Sequence, residues 1–478
     1  MKRRAKIIAT LGPASQDKKT IQELLQAGMD VARINFSHGT HQDHAQVIKY
    51  LRESAEELQQ PVTILQDLSG PKIRTGDMAE GPVVIHQGNK LVLTTQETAG
   101  TDSRVQVSFP HFPDSVKEGS RILLDDGQLE LVVKKVQGRD VVTEVVQGGP
   151  LKAHKGINLP GAKLEFPSLT EKDLVDLEFG LDQDIDALAL SFVRKAKDIE
   201  ALRKAVADCN PKKAKIPIIA KLEHPDAIKN LHEIIHTADG VMVARGDLGI
   251  EMPPESVPIV QKQIIASANK HLCYVIIATQ MLESMINSPR PSRAEASDVA
   301  NAVLDGTDAV MLSGETAIGK FPVKTLRMME AIICQSEEHS EEWGRLDLAL
   351  TDDSSHDDAV SITQAARELA QDRDVAAVAV FTQSGRTARL MSKARPNVPI
   401  LAFTPDKDTY QYLAMLWGTT PYLIPHAESI EEMISHVDTA VIEGSPVKAG
   451  QEIVLIAGFP IQKMVPPNLA LLHTIQSS

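Results

Sequence analysis

The chain has 478 residues, enough for about two to four domains with large buried cores. Hydrophobic residues make up 42% and charged residues 24%, as in an ordinary globular protein, and the net charge of −14 argues against a general nucleic-acid binder. A phosphorylated substrate stays admissible, because a local cluster of Lys, Arg and Mg²⁺ overrides the global field. Cys209, Cys273 and Cys334 show no metal or redox spacing and fit free thiols in a reducing compartment. Met1–Arg4 is basic, but the apolar run after it is too short for a signal segment. No stretch is long and apolar enough to span a membrane, so a cytoplasmic location is expected.

Short β-branched runs repeat along the chain: Lys6–Thr10, Val31–Phe36, Val62–Asp67, Ala187–Phe192, Pro217–Lys221, Val241–Arg245, Val275–Thr279 and Ala309–Ser313. Helical patterns separate most of them, among them Lys18–Ala27, His41–Leu58, Glu171–Gly180, Ala196–Ala207 and Ile259–Lys270. Such alternation predicts an α/β protein whose parallel sheet closes as a (β/α)₈ TIM barrel. An open doubly wound sheet is the alternative, and the count of eight strands favours closure.

Between Asp67 and Ala187 the texture differs. Val83–Ile85, Lys90–Leu93, Arg121–Leu124 and Val141–Val146 are short strands parted by glycines and an Asp125-Asp126-Gly127 turn. They predict a small all-β domain inserted after the third barrel strand, over the catalytic face, where a lid belongs. After Glu342 a polar stretch at Ser354–His356 leads to helix Ala359–Ala370 and strand Val375–Phe381. Strands Ile400–Phe403, Pro421–Ile424 and Glu452–Ala457 follow, with helices Lys407–Trp417 and Ile430–Glu443, as in a separate open α/β domain. The expected division is barrel 1–70, inserted β-barrel lid 71–167, barrel 168–342 and C-terminal regulatory α/β domain 343–478.

The barrel strands end in polar residues: Arg33 to His38, Gln66-Asp67, Ser191-Phe192, Lys221-Leu222-Glu223, Arg245-Gly246-Asp247, Thr279-Gln280 and Ser313-Gly314-Glu315. In a TIM barrel these ends meet at one face, the catalytic one. Lys221 and Glu223 share a parity along their strand and so point the same way. Glu223 and Asp247 are hard oxygen ligands of the kind Mg²⁺ prefers, and Lys221 is a fixed charge for an oxyanion or phosphoryl group. Structural alternatives exist for each. Lys221 could snorkel, Glu223 could close a capping box, Asp247 could serve a turn and Thr279 an N-cap.

Two motifs are decoys. Gly314–Lys320 has Walker A spacing, but Phe321 stands where the Mg²⁺-binding hydroxyl belongs and Pro322 follows at once. His38, His41 and His44 lack a carboxylate or cysteine to complete a metal set, and a polar helix start is the better reading.

Along essentially its whole length the chain resembles pyruvate kinase. The resemblance rests on Ile219–Glu223, Met242–Gly249, Ala278–Met285, Arg33–Gly39, Gly70–Arg74 and Asp305–Ser313. It implies transfer of the phosphoryl group of phosphoenolpyruvate to ADP, giving ATP and pyruvate. Lys221, Arg33 and Thr279 would then be catalytic. Gly246, Asp247, Ser191 and Phe192 would join them in binding phosphoenolpyruvate. Glu223 and Asp247 would hold one Mg²⁺, and a second would arrive with the nucleotide. Asn35, Phe36, Ser37, His38, Arg74 and Lys155 would line the nucleotide side. A homotetramer is implied, with no nucleic-acid or membrane partner.

One departure from the family stands out. Many relatives carry Glu where this chain has Lys72, and bind K⁺ through residues matching Asn35, Ser37, Asp67 and a threonine where Leu68 stands. Lys72 would supply the missing cation, so activity without K⁺ is expected. His224, following a metal ligand, also departs from the family's usual residue. In the C-terminal domain Thr382, Ser384, Gly385, Arg386 and Thr387 match the loop that holds an effector phosphate. The segment Gly458–Asn468 lacks the Gly/Thr-rich loop of fructose 1,6-bisphosphate binders, so a sugar monophosphate or AMP fits better. Two rivals remain: another Mg²⁺-dependent barrel handling a pyruvate enolate, which would need no lid, and a non-catalytic scaffold, which would lack part of the Lys221, Glu223, Asp247 set.

Overall fold

The protein is described by a computed structural model covering residues 3–161, 167–344, 357–461, 463 and 465–476. The polar stretch Ser354–His356, and Gln462 and Met464 of the C-terminal loop, lie outside the described residues.

Eight parallel strands close into a barrel. In chain order they are β1 (Lys6–Leu11), β2 (Val31–Asn35), β3 (Thr63–Asp67), β12 (Ala187–Leu190), β13 (Ile218–Leu222), β14 (Gly240–Ala244), β15 (Tyr274–Ala278) and β16 (Ala309–Leu312). The open-sheet alternative falls, because β1 pairs with both β2 and β16. Side-chain parity divides each strand. Ile7, Ala32, Ile64, Ala220, Val241 and Ile277 face the helical layer, whereas Ile8, Val31, Leu65, Ile219, Met242 and Ile276 fill the interior. The same parity decides the polar ends. Arg33 follows Val31 by two, Asp67 follows Leu65, Ser191 follows Ala189, and Lys221 and Glu223 follow Ile219, so all five point inward at the mouth.

The helices carry their own punctuation. Helices α1 (Lys18–Gln26) and α2 (His41–Glu57) open on the N-caps Asp17 and Thr40, the latter in a capping box with Asp43. The remaining helices of the barrel are α3 (Glu171–Asp182), α4 (Ala196–Cys209), α5 (Pro225–Lys229), α6 (Leu231–Thr237), α7 (Arg245–Glu251), α8 (Val257–Lys270), α9 (Arg293–Leu304), α10 (Gly314–Ala317) and α11 (Pro322–Glu338).

Between β3 and β12 the chain builds two small sheets. A pair joins β4 (Val83–Ile85) to β10 (Gly149–Leu151). Six strands order as β11-β7-β8-β9-β5-β6, comprising β5 (Lys90–Thr94), β6 (Arg104–Gln106), β7 (Arg121–Leu124), β8 (Leu129–Gln137), β9 (Asp140–Gln147) and β11 (Ile157–Asn158). Strand β8 has no counterpart in the sequence reading. Its register slips at Glu130/Leu131 and at Val133/Lys135, and such bulges break the alternation that announces a strand. Strands β6, β10 and β11 are three residues or fewer, too short for periodicity to register.

The C-terminal sheet orders as β19-β18-β17-β20-β21, with β17 (Ala377–Phe381), β18 (Ile400–Thr404), β19 (Thr419–Leu423) and β20 (Glu452–Ala457) parallel. The antiparallel edge strand β21 (Leu469–Thr474) was not foreseen. This unit packs under the N-terminal ends of the barrel strands. Lys6 Nζ donates to the Thr419 carbonyl at 2.8 Å, and Thr63 Oγ1 to that of Gln411 at 2.6 Å. Asp308, fully buried before β16, pairs with Lys393 at 2.8 Å and Arg395 at 2.6 Å. Thus the lid lies at one end of the barrel and the α/β unit at the other.

Candidate active site

Four charged side chains interlock at the barrel mouth. Asp67, buried, receives the Arg33 Nε–H at 2.7 Å and stands 3.2 Å from Lys221 Nζ. Lys221 Nζ also reaches Glu223 Oε1 at 2.9 Å and donates to Ser191 Oγ at 2.8 Å. Arg33 donates a second bond, to Thr10 Oγ1 at 2.9 Å. Burial by itself lowers the Lys221 pKa, but Asp67 and Glu223 outweigh it and hold the ammonium firmly charged. At Asp67 burial raises the pKa and the two cations reverse it, so it stays ionised. Glu223 moves the other way. Burial and the nearby Asp247 carboxylate prevail over Lys221, and its pKa is raised.

These contacts decide between the readings. Lys221 is 7% exposed and held by three partners, so it does not snorkel. Glu223 caps no helix. Its Oε2 accepts from the Phe192 amide at 2.8 Å, and His224 Nδ1 caps α5 by accepting from the Asp226 amide at 3.1 Å. Among the described residues Glu223 Oε1 is buried with no hydrogen-bond partner beyond the ion pair to Lys221. Asp247, half-buried on α7, lines the same cleft and acts electrostatically on both Lys221 and Glu223. A buried carboxylate oxygen held only by the Lys221 ammonium, with a second carboxylate nearby, suits a hard divalent cation.

Thr279 is held in an unusual backbone state. It follows β15 with φ +70°, and Gln280 follows at +54°. A β-branched residue costs about 1–3 kcal/mol there. The strain aims Oγ1 at α7, where it accepts from the Gly246 amide at 2.8 Å and donates to the Ala278 carbonyl at 2.6 Å. The Gly246 N–H, expected to meet a substrate carboxylate, is therefore engaged by Thr279 here. Arg245 turns away from the mouth, binding Asp298 at 2.6 Å and the Thr279 carbonyl at 2.7 Å. Phe192 too has positive φ, at +54°.

The lid side supplies cations. Lys72 Nζ lies 5.9 Å from the Phe192 ring centroid and acts on both Glu223 and His38. Burial, then Arg74, Lys72 and Arg33, lower the His38 pKa, which places all three cations around it. Arg74 donates to the His154 carbonyl at 3.0 Å. Lys155 pairs with Asp125 at 2.6 Å. A cleft of about 60 Å³ separates lid from barrel; Lys72, Asp126 and Asn158 face Arg194, His224, Asp247 and Glu251 across it. Asn158 Nδ2–H donates across the gap to Glu251 Oε1 at 3.0 Å.

Phe36 turns its ring into the helical layer. Its ring is 2% exposed and packs on His44 and Phe179, its amide donates to the Asp67 carbonyl, and its own carbonyl accepts from Lys172. Asn35 Oδ1 accepts from the Ser37 amide at 3.1 Å. Both decoys behave as read. His41 pairs with Asp176 and stacks on Phe179, and Gly314–Ala317 forms a short helix whose Glu315 ties down the Leu282 and Ser313 amides. Sequence reasoning gave Asp67 a minor place and omitted Thr10, Asn158 and Glu251. The inward parity of Asp67 was the available signal. The others depend on which loops meet.

The second cleft, of about 190 Å³, lies in the C-terminal unit. Thr382, Ser384, Arg386 and Thr387 form one wall, and Gly458, Ile461, Lys463 and Val465 the other. Gly385, at φ +77°, caps helix Arg386–Ala394, and its amide donates to Thr382 Oγ1 at 3.0 Å. Arg386 pairs with Asp357.

A closed parallel barrel with such a charged mouth, and an inserted β unit that brings Lys72 and Arg74 to it, defines a (β/α)₈-barrel enzyme equipped for anionic substrates. Residues 2–326 match the family model for the pyruvate kinase barrel domain, and residues 360–473 that for the pyruvate kinase alpha/beta domain. A pyruvate kinase of Mycobacterium tuberculosis is 44% identical over 475 residues, 99% of each chain. One from Corynebacterium glutamicum is 44% identical over 463 residues, covering 96% of this chain and 95% of its own. The crystal structure of a pyruvate kinase from Cryptosporidium parvum superposes with a TM-score of 0.89 at 34% identity, over 99% of this chain and 96% of that one. The chain belongs to the pyruvate kinase family.

The strain at Thr279 yields a prediction. Thr279→Gly should match or exceed the parent in urea midpoint, because relief of about 1–3 kcal/mol of strain offsets the lost hydroxyl. Thr279→Ala keeps the strain, loses the acceptor, and should unfold at lower urea. Equal midpoints for the two variants would refute a strained Thr279.

Proposed function

We propose that the enzyme moves the phosphoryl group of phosphoenolpyruvate to ADP, with the division into barrel, lid and C-terminal unit set out above. The observation that carries this reading is Lys221, buried and charged between Asp67 and Glu223 at the barrel mouth, with Asp247 close enough to act on it and Lys72 of the inserted unit lining the same cleft as Asp247.

Glu223 and Asp247 would hold a Mg²⁺, which when bound supplies positive charge to the carboxylate and enolate oxygens of the substrate. Lys221 sits beside the transferring phosphoryl group and offsets its charge and that of the developing enolate. Arg33, fixed by Asp67 and Thr10, grips the phosphate. An ADP oxygen attacks phosphorus, the bond to the enolate oxygen breaks, and the enolate methylene takes a proton to give pyruvate. Thr279 is too weak an acid to supply that proton alone and acts through water. Ser191 orients Lys221, and Phe192 fixes Glu223 through its amide. Arg74 and Lys155 would meet the nucleotide phosphates, with a second Mg²⁺. Asn35, Ser37 and His38 line that side. For Lys155 this means leaving Asp125.

Pyruvate kinases generally use Mg²⁺ and typically K⁺. Here two of the K⁺-site equivalents, Asp67 and Asn35, already carry protein contacts. Asp67 is shared by Arg33 and Lys221, Asn35 Oδ1 accepts from Ser37, and Leu68 offers no side-chain oxygen. Together with Lys72 this supports turnover without K⁺. The 190 Å³ cleft and its capped helix support a phosphate effector, a sugar monophosphate or AMP, held at Thr382, Ser384, Gly385, Arg386 and Thr387. Lys463 in the same cleft adds a cation. A cytoplasmic homotetramer completes the reading; among the described residues no helix is long and apolar enough to cross a membrane.

Three measurements test it. In a coupled assay of ADP-dependent pyruvate release, Lys221→Met should lose at least about 10²–10³-fold in turnover, the scale of one preorganised charge; retained activity refutes the mechanism. Turnover in buffer with only a tetraalkylammonium counter-ion should equal that with K⁺, and Lys72→Glu should make it K⁺-dependent. Large activation of the parent by K⁺ would sink that claim. The pair Ser384→Ala and Arg386→Ala should abolish activation by a sugar monophosphate or AMP while saturated turnover stays intact; activation that survives both changes excludes this cleft.

A further inference from the structure

Three histidines converge on the outside of the barrel, at the end remote from the mouth. His232 and His236 stand one helical turn apart on α6, so their rings share a face, with centroids 4.2 Å apart. His271 is the C-cap residue of α8, and its ring centroid lies 4.7 Å from that of His236 and 5.3 Å from that of His232. One ring nitrogen from each falls within 4.8 Å of the other two.

The tautomers are set for coordination. His236 Nδ1 lies 2.7 Å from the His232 carbonyl, and His271 Nδ1 lies 2.8 Å from the Ser267 carbonyl. A carbonyl only accepts, so each Nδ1 carries the proton and each Nε2 presents a lone pair. An imidazole anchored in this way through its other nitrogen is the usual form of a metal-bound histidine. Position adds a second argument. His236 is in the last turn of α6 and His271 caps the end of α8, so a cation between them faces the negative ends of two helix dipoles. His232 and His236 are exposed and His271 half-exposed, which leaves the group open to an ion from solvent.

We propose that His232, His236 and His271 form a binding site for a zinc-class transition ion, distinct from the Mg²⁺ site of the mouth. Three neutral nitrogen donors select Zn²⁺, Co²⁺, Ni²⁺ or Cu²⁺ over Mg²⁺, which demands oxygen. Metal–nitrogen bonds of about 2.0–2.1 Å bring tetrahedral ligands to about 3.3 Å from one another. The rings close that distance by side-chain rotation at the surface. The fourth position is left to water. The ion ties α6 to α8, the two helices that lead into β14 and β15, whose far ends carry Asp247 and Thr279.

Co²⁺ is the probe, titrated into the full-length enzyme in excess Mg²⁺. A tetrahedral nitrogen site absorbs strongly in the visible, whereas octahedral oxygen coordination at Glu223 and Asp247 absorbs only faintly. The expected result is intense absorption saturating at one equivalent per chain, displaced by Zn²⁺, with a higher unfolding temperature that a chelator reverses. His232→Ala and His271→Ala should each weaken Co²⁺ binding by at least about a hundredfold, because losing a second-shell partner alone costs about 10–100-fold. His426→Ala, at an exposed histidine in the C-terminal unit, should bind as the parent does. No strong absorption in the parent overturns the site, as does an unchanged titration in the His232/His271 double variant.

Discussion

The barrel mouth depends on one buried carboxylate. Asp67 binds Arg33 through one oxygen and faces Lys221 with the other, and all three side chains are buried. Two cations this deep are tolerable only because Asp67 and Glu223 balance them. Removing one partner of such a set typically costs about 3–5 kcal/mol, since it leaves an uncompensated buried charge. The arrangement therefore serves preorganisation rather than stability. Lys221 is held charged and in a fixed place by Asp67, Glu223 and Ser191, as a preorganised site requires.

The rest of the structure works from that fixed point. The inserted β unit follows the end of β3, so the strand that carries the central carboxylate also leads into it. Lys72 and Arg74 come just past this junction and bring their charge over the mouth. The Asn158–Glu251 bond ties the lid to α7, the helix that bears Asp247. At the other end β14 begins next to Asp239, which pairs with Arg389 on the helix that starts at the C-terminal cleft. One strand thus runs from the C-terminal unit to the start of α7, which bears Asp247.

Much of this was legible beforehand, and for a definite reason. Barrel strands buried on both faces announce themselves as continuous β-branched runs, and all eight were found within a residue or two. Parity then assigned Lys221 and Glu223 to one side. The lid was harder to read. Its strands are short, bulged and exposed on one face, so β8 slipped past although the domain itself did not. The Phe36 ring turns outward by the same alternation that takes Ile34 into the helical layer. The three-histidine cluster had only a weak signal, His232 and His236 four apart, and its third member comes from another helix.

The sequence by itself determined the kinds of elements, their order, and which residue types end each strand, because those follow from local periodicity and from chemistry that burial would otherwise forbid. Tertiary structure decided which of those ends pair. Asp67 between Arg33 and Lys221, Thr279 strained onto Gly246, and Glu251 reaching the lid all join residues that are distant in the chain. Barrel closure brings them within hydrogen-bond distance, and only at that range do burial and facing charges set which groups stay ionised.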